Sequence, residues 1–465
     1  MGLFSHLHYN QPGPGYLFLL GPLYVLSGEN SRSLWLSAFL LNGVSALATA
    51  WIARRLLGGL AGVAAVCLLG AYMAWLGLEN LADSWMPGVI ALPMLLYLVL
   101  AAGAAAGRRW MLIALLPLAS YLLQVYTAVI PTVVGTLLVA IGLGLATRPG
   151  GSDRANVSRW WPWCMAAALL VSVAIWIPPA IALLTGSPGN ASMMFRFLTT
   201  AHPELGPHVS LPSAVLGVLN QQAVFALGRP NANVVALHPA RAVVAGLGLA
   251  CAVFATAWGA RKRQYAVRNM GALSITATLL AVLSTTRIQG DIGNAYVLWW
   301  SSLVLVPGIV GAVAAVGSAL QGRTAPRAVW PVTAAVGVAV CLLVAGAFAA
   351  EAVAPADASI ATAMTLIRPA VGPLRGRVIE VTTIDTGADP SAEGIVLQLE
   401  KAGATVHVDG GWAEKYSAPE AQTGGESVEI LVALAGQKVP PLGTTGATDL
   451  GVVGPVEIWE RPLTP

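Results

Sequence analysis

The feature that most constrains this chain is a series of long apolar runs. Ten stretches of 17 or more residues are almost free of charge and end near charged residues. They are 34–53, 59–76, 86–106, 111–128, 130–146, 162–184, 242–259, 270–287, 296–318 and 330–350. A soluble core could not bury so many runs of this length, whereas a bilayer needs about 20 apolar residues per helix. The pattern predicts a mostly α fold, a polytopic transmembrane helical bundle of about ten spans.

The composition agrees with a membrane protein. Hydrophobic residues make up 56% of the 465 residues and charged residues only 10%. The net charge of +4 is small and requires no nucleic-acid partner, so the lipid bilayer is the expected environment. Each of the four cysteines falls alone inside an apolar run, without the spacing of metal ligands or the position of a disulfide framework.

Two apolar segments depart from a simple span. Residues 111–146 are too long for one helix and contain Pro117 and Pro131, which favours a tight hairpin of two helices. Residues 16–27 are too short to cross, which is typical of a helix in the membrane interface or a re-entrant segment.

Orientation follows from the distribution of Lys and Arg, because cytoplasmic loops carry an excess of these residues. They recur in every second loop, at Arg54, Arg55, Arg108, Arg109, Arg148, Arg154, Arg159, Arg261, Lys262, Arg263, Arg268, Arg323 and Arg327. The pattern predicts a multi-pass protein of the plasma (inner) membrane. Residues 1–33, a large loop at 185–241 and everything after residue 350 are predicted to face the outside.

The beginning of the chain raises a separate expectation. The 34–53 helix must run from outside to inside, yet residues 1–15 lack the basic start and apolar region of a signal peptide. We therefore expect one further span, and the start of its outer loop, to precede residue 1 in the natural protein.

The composition changes after Pro355, which divides the chain into a membrane domain (1–354) and a small extracytoplasmic α/β domain (355–465). GRVIEVTTID, ATVHVD, SVEILVAL and VGPVEIWE are predicted strands. DPSAEGIVLQLEKAG is a predicted helix with Asp389 as N-cap, Pro390 at its first position and Gly403 at its end. The sequence of region 355–465 contains no glycine-rich phosphate loop, which favours a role as a cap or an acceptor-recognition module.

Three segments resemble bacterial membrane glycosyltransferases of the GT-C fold. They are YNQPGPGYLFLLGPLY at 9–24, GNASMMFRFLTT at 189–200 and TRIQGDIGNAYVLWW at 286–300. Gln11 stands where that pattern has His, and the acid that follows the first span of such enzymes is not present. The resemblance implies transfer of a sugar from a polyprenyl-phosphate donor to a cell-envelope acceptor on the outer face.

That reaction needs a carboxylate as general base and cations, or a divalent metal, at the phosphate. Candidate catalytic residues are Glu79 and Asp83 in GLENLADSWMP, whose spacing puts both on one face if the loop begins helically. Candidate donor- and acceptor-binding residues are His8, Tyr9, Asn10, Gln124, Tyr126, Arg196, Arg287 and Asp291. The histidines lack metal-ligand spacing, so the cofactor stays unknown.

Other interpretations stay open. Glu79 and Asp83 can be ordinary solvated acids. Arg287 can extend to lipid headgroups instead of a substrate phosphate, and Arg196 can anchor an interfacial helix. At the level of the whole protein, the alternatives are a transporter or flippase of lipid-linked glycans and a non-catalytic scaffold of the cell envelope.

Overall fold

The computed structural model of the chain describes residues 4–5, 9–30, 32–84, 86–146, 161–185, 190–200, 207–227, 239–289, 292, 295–320, 355–383, 389–408, 428–435, 446–453 and 456–463. The chain divides into two compact units. Asn10–Ala349 form a helical unit with Met1–Leu3, and Ala350–Pro465 form an α/β unit with Phe4–Tyr9.

The helical unit is built from thirteen described α-helices. They are α1 Gly15–Leu26, α2 Arg32–Leu57, α3 Gly59–Ala82, α4 Ala91–Ala105, α5 Leu112–Val125, α6 Ile130–Ala146, α7 Trp161–Ala174, α8 Ile177–Thr185, α9 Asn190–Thr199, α10 Leu211–Leu227, α11 Pro239–Arg261, α12 Tyr265–Thr285 and α13 Val306–Leu320. Short 3₁₀ helices occur at Met86–Val89, Arg109–Met111, Thr127–Val129 and Ala295–Ser301. Near the N-terminus, β1 Phe4–Ser5 and β2 Tyr9–Asn10 form a two-stranded sheet.

Eight helical segments among the described residues are long and apolar enough to cross a membrane. They are Arg32–Leu57, Gly59–Leu78, Met86–Ala105, Thr127–Ala146, Trp161–Ile181, Pro239–Arg261, Tyr265–Thr285 and Val297–Leu320. Each matches one predicted span. The predicted span 111–128 is a shorter apolar helical segment, Arg109–Val125, and 330–350 lies outside the described residues. The predicted fold class, a polytopic helical membrane protein with a C-terminal α/β unit, is confirmed.

Contacts between helices bring many of the cations together at one end of the helical unit, which we call the basic end. The rings of Trp51 in α2 and Trp110 lie 5.7 Å apart, and Arg268 at the start of α12 donates to the Leu143 carbonyl near the end of α6. The described cations there are Arg54, Arg55, Arg108, Arg109, Arg261, Lys262, Arg263 and Arg268. The side of the membrane that this end faces stays a prediction.

Helix α10 lies in the stretch that the sequence predicts as a large loop, and it packs against α11 and α12. Just before α10, the Val209 amide donates to the Ile288 carbonyl beyond the end of α12. Further along, Gln222 donates to Thr278 within α12. α10 therefore runs antiparallel to α12. Because the turn 262–264 makes α11 antiparallel to α12 as well, α10 and α11 start at the same end of the helical unit.

The α/β unit contains one mixed sheet of five strands in the order β4-β3-β5-β7-β6. The strands are β3 Val378–Thr383, β4 Thr405–Val408, β5 Val428–Leu434, β6 Thr448–Val453 and β7 Val456–Pro462. β3 is parallel to β4 and β5, while β7 is antiparallel to β5 and β6. Helices α14 Pro355–Val371 and α15 Asp389–Lys401 share an apolar core with alternate residues of the strands. The four predicted strands and the predicted helix are present, whereas α14 and β6 were not predicted.

A row of polar residues crosses the other face of this sheet. Cross-strand pairing aligns His407 with Glu380, Glu380 with Glu429, and Glu429 with Arg461. The Arg461 Nε donates to the Glu429 Oε2 at 2.6 Å. Since the Glu429 carboxylate is buried, this ion pair offsets the cost of keeping a charge away from water.

Candidate functional site at the N-terminal segment

The N-terminal segment QPGPGY packs against the end of α5. The Gly13 amide donates to the Gln124 carbonyl at 3.2 Å, and the Gly15 amide donates to the Gln124 Oε1 at 3.1 Å. A Cβ atom on Gly13 would lie inside the van der Waals radius of the Gln124 side chain. Glycine at this position therefore allows the segment to lie directly on the buried amide.

Gln11 makes a second connection of the same segment. Its side-chain oxygen accepts hydrogen bonds from the Thr127 amide at 3.0 Å and the Thr127 hydroxyl at 2.9 Å. Its backbone carbonyl accepts one from the Asn190 side chain at 3.4 Å. The residue that departs from the glycosyltransferase pattern thus joins the segment to the turn before α6 and to the start of α9.

Gln124, a predicted donor- or acceptor-binding residue, is completely buried and bonded at both ends of its amide. Its Nε2 donates to the Ile175 carbonyl at 2.8 Å. In a continuous helix this carbonyl would accept a hydrogen bond from the amide of residue 179. Pro179 has no amide hydrogen, and the helix is interrupted between α7 and α8. Gln124 supplies the missing donor.

The Asp83 turn lies beside Tyr16, the second residue of α1. α3 is kinked at Gly77, whose φ is +75°, and ends at Ala82, so Asp83 follows the helix in an extended conformation. The Tyr16 side chain is hydrogen-bonded to Ser84 and lies close to Asp83. Burial raises the pKa of Tyr16 and the nearby Asp83 charge raises it further, although the Ser84 hydrogen bond acts in the opposite direction. The phenol therefore stays protonated beside the carboxylate.

A buried amide in α2 fixes the shape of this turn. The Asn42 Nδ2 donates to the carbonyls of Leu81 and Gly88, both at 2.9 Å. Gly88 in turn packs so closely on Asp83 that a Cβ there would lie 2.9 Å from the Asp83 carbonyl oxygen. Asp83 is half-buried, and the contacts of Asn42 and Gly88 fix the backbone on both sides of it.

Several predicted residues are placed only in part. Glu79 lies in α3 after the kink, and Tyr9 and Asn10 form β2, but their side chains lie outside the described part. His8 and Asp291 also lie outside the described residues. Tyr126 has an extended backbone between α5 and the turn at 127–129, and its half-buried ring packs on the helical core.

A cluster of polar residues surrounds the end of α12, where the predicted site residue Arg287 lies. Arg287 is exposed, and the Ser284 hydroxyl donates to the carbonyl of Ala128, which lies in the 127–129 turn that binds Gln11. Gln289 lies 3.3 Å from His208, measured between the Nε2 atoms. No sequence pattern predicts that His208 lies beside this cluster. Arg287 follows Ser284 by three residues and therefore lies at the same end of the helical unit as the contact between Gln11 and Thr127.

Arg196 is exposed on α9, next to the exposed apolar ring of Phe195. Because Asn190 at the start of α9 is bonded to Gln11, this short helix is tied to the N-terminal segment. An exposed arginine beside an exposed aromatic ring is typical of a helix at the membrane interface.

Three consecutive amides on α10 are further polar groups that the sequence reasoning missed. Asn220, Gln221 and Gln222 are all buried. Among the described residues, neither polar atom of the Gln221 side chain has a hydrogen-bond partner. Polar side chains at membrane depth are costly and often line a functional cavity.

No group of three His, Cys, Asp or Glu residues that could hold a metal ion occurs in the described part of the chain. The described site therefore consists of a carboxylate, a phenol, amides and exposed arginines.

Fold and site define a multi-pass helical membrane protein with a C-terminal α/β unit and a polar cluster where several helices end. No protein-family model, curated protein or solved structure shows a significant match to the chain.

Proposed function

We propose that the protein is a membrane glycosyltransferase that transfers a sugar from a polyprenyl-phosphate donor to a cell-envelope acceptor. The observation that carries this proposal is the half-buried Asp83, which lies in a turn fixed by Asn42 and Gly88 and has Tyr16 beside it. A carboxylate at the edge of the membrane, with a protonated phenol beside it, is suited to accept a proton from a bound alcohol. The proposed orientation puts the basic end in the cytoplasm and this site, with the α/β unit, outside.

In the proposed reaction, an acceptor hydroxyl attacks the anomeric carbon of the sugar. The new carbon–oxygen bond forms while the bond to the phosphate oxygen breaks, and polyprenyl phosphate leaves. The hydroxyl proton passes to the carboxylate of Asp83 or, alternatively, of Glu79. Arg287 and Arg196 bind the phosphate charge, which a guanidinium does through two parallel hydrogen bonds. The donor and acceptor contacts come from His8, Tyr9, Asn10, Gln124, Tyr126 and Asp291.

The test uses full-length protein in proteoliposomes and short-chain polyprenyl phosphate carrying a radiolabelled pentose or hexose. Release of polyprenyl phosphate is measured for wild type, Asp83→Asn and Glu79→Gln, with Glu29→Gln as a control that removes an acid outside the Asp83 turn. Loss of a general base lowers the rate by about 10²–10⁴-fold. Full turnover in both site variants would refute the assignment of the base.

A transporter of lipid-linked glycans is the second candidate, and the buried amides of α10 favour it. Re-entrant or broken helices with polar groups at membrane depth are common at transport sites. In this case wild-type protein moves the labelled lipid between leaflets without releasing polyprenyl phosphate. Gln221→Leu would then stop movement, whereas Asp83→Asn would not.

A further inference from the structure

Two tryptophans and an arginine from separate parts of the chain meet at the basic end. The Trp51 and Trp110 rings contact edge to face, and the Arg55 guanidinium lies 5.5 Å from the centre of the Trp51 ring. Both indoles remain partly exposed, at 46% for Trp51 and 42% for Trp110. α2 and the turn after α4 therefore form one aromatic surface with a cation above it.

The charge around this surface has a single sign. Arg108 and Arg109 directly precede Trp110 and are exposed, as is Arg55. No Asp or Glu occurs among the residues described at the basic end. The three guanidinium groups thus present donors for an anion, and each can bind two phosphate oxygens at once.

The surface continues into the lipid-facing side of α2. Val44 and Leu47, two turns and one turn before Trp51 respectively, are apolar and strongly exposed in the described unit. In a membrane they contact acyl chains, and an indole one turn further lies at the level of the headgroups. A ligand that reaches both the guanidinium groups and this apolar side of α2 therefore combines an anionic headgroup with hydrocarbon tails.

We propose that Trp51, Arg55, Arg108, Arg109 and Trp110, which we call the Trp–Arg cluster, bind the headgroup of an anionic bilayer phospholipid. The acyl chains lie along Val44 and Leu47, and the phosphate meets the three guanidinium groups. Arg55 is held over the Trp51 ring by a cation–π contact, which orients it before the lipid arrives. This site is at the other end of the unit from Asp83 and does not depend on the proposed function.

The experiment compares phospholipid binding by native mass spectrometry of the full-length protein. Phosphatidylglycerol and phosphatidylcholine are titrated against wild type and a triple variant, Arg55→Gln, Arg108→Gln and Arg109→Gln. The matched control carries Arg261→Gln, Lys262→Gln and Arg263→Gln, which removes the same charge from the same end. Thermal unfolding without added lipid checks that both variants are folded.

The cluster variant should bind phosphatidylglycerol at least about tenfold more weakly, since each cation near the surface contributes to the attraction of anionic lipid. Its binding of phosphatidylcholine should not change, and the control should lose about twofold or less. An equal loss in the control would show a general effect of charge and overturn the site. Short-chain polyprenyl phosphate is the third ligand, and tighter binding of it than of phosphatidylglycerol at the cluster would also overturn the proposal.

Discussion

A methyl group added at Gly13 tests whether the N-terminal segment is packed as the structure shows. In Gly13→Ala, the new Cβ would lie 2.6 Å from the Gln124 Cδ and 2.8 Å from its Cγ, so the buried amide must move. Its hydrogen bonds to Gly15 and Ile175 would then be lost, at about 0.5–1.5 kcal/mol each. Overpacking adds about 1–3 kcal/mol. We expect a total destabilisation of about 2–6 kcal/mol.

Gly21→Ala is the matched control, because a Cβ at Gly21 in α1 meets no atom within 4 Å. Alanine in a helix is more stable than glycine by about 0.5–1 kcal/mol, so this variant should be unchanged or slightly more stable. The assay is thermal unfolding of purified protein in one detergent, and the Gly13→Ala midpoint should fall by on the order of 5 °C.

A double-mutant cycle identifies the atoms responsible. Gln124→Ala should itself destabilise the protein, because the Ile175 carbonyl loses its donor. Adding Gly13→Ala to that variant should cost little more, since the clashing side chain has gone. An equal cost of Gly13→Ala with and without Gln124, or equal midpoints for Gly13→Ala and Gly21→Ala, would refute the packing.

Four other outcomes are expected. Ser5→Cys and Ser417→Cys should both react with an impermeant thiol reagent in intact cells, and protection of either that ends on lysis contradicts the orientation. Arg287→Ala should weaken binding of a short-chain polyprenyl-phosphate sugar by roughly ten- to a hundredfold without rescue by Arg287→Lys, and equal affinity in titrations would leave only an anchor. Asn42→Leu should cost about 1–3 kcal/mol in thermal unfolding because two backbone carbonyls lose a donor, and an unchanged midpoint would contradict this. Arg461→Ala should cost about 1–3 kcal/mol because the buried Glu429 carboxylate loses its ion pair with arginine, and unchanged limited proteolysis of the α/β unit would count against it.

The spans could be predicted because run length alone distinguishes a membrane helix from other apolar segments. α10 was missed because Asn220, Gln221 and Gln222 interrupt its apolar sequence, and their burial depends on neighbouring helices that hydropathy does not see. β6 was missed for a related reason. Gly451, with φ of +125°, and a register shift beside Asp449 break the alternation by which strands are recognised.

The site was predictable as a collection of residue types and much less as an arrangement. Gln11 and Thr127 are separated by 116 residues, and no local pattern predicts that they bond. The prediction that Glu79 and Asp83 share one face of a helix required α3 to continue through residue 83. α3 ends at Ala82, and Asp83 lies just beyond it. One signal was available in the sequence. Pro178 and Pro179 have no amide hydrogens, so helix carbonyls before them lack their usual donors, and a buried amide such as Gln124 is suited to replace one of these donors.

The burial of Gln221 in α10 has a consequence for biogenesis. Gln221 is shielded by protein, and its unsatisfied amide would be exposed to acyl chains if α10 entered the bilayer alone. Two helices that α10 packs against, α11 and α12, leave the ribosome after it. We therefore infer that α10 stays near the membrane surface during synthesis and inserts only after α11 and α12 have assembled. We expect a ribosome-bound chain that stops before α12 to leave α10 open to protease, and a chain that includes α12 to protect it.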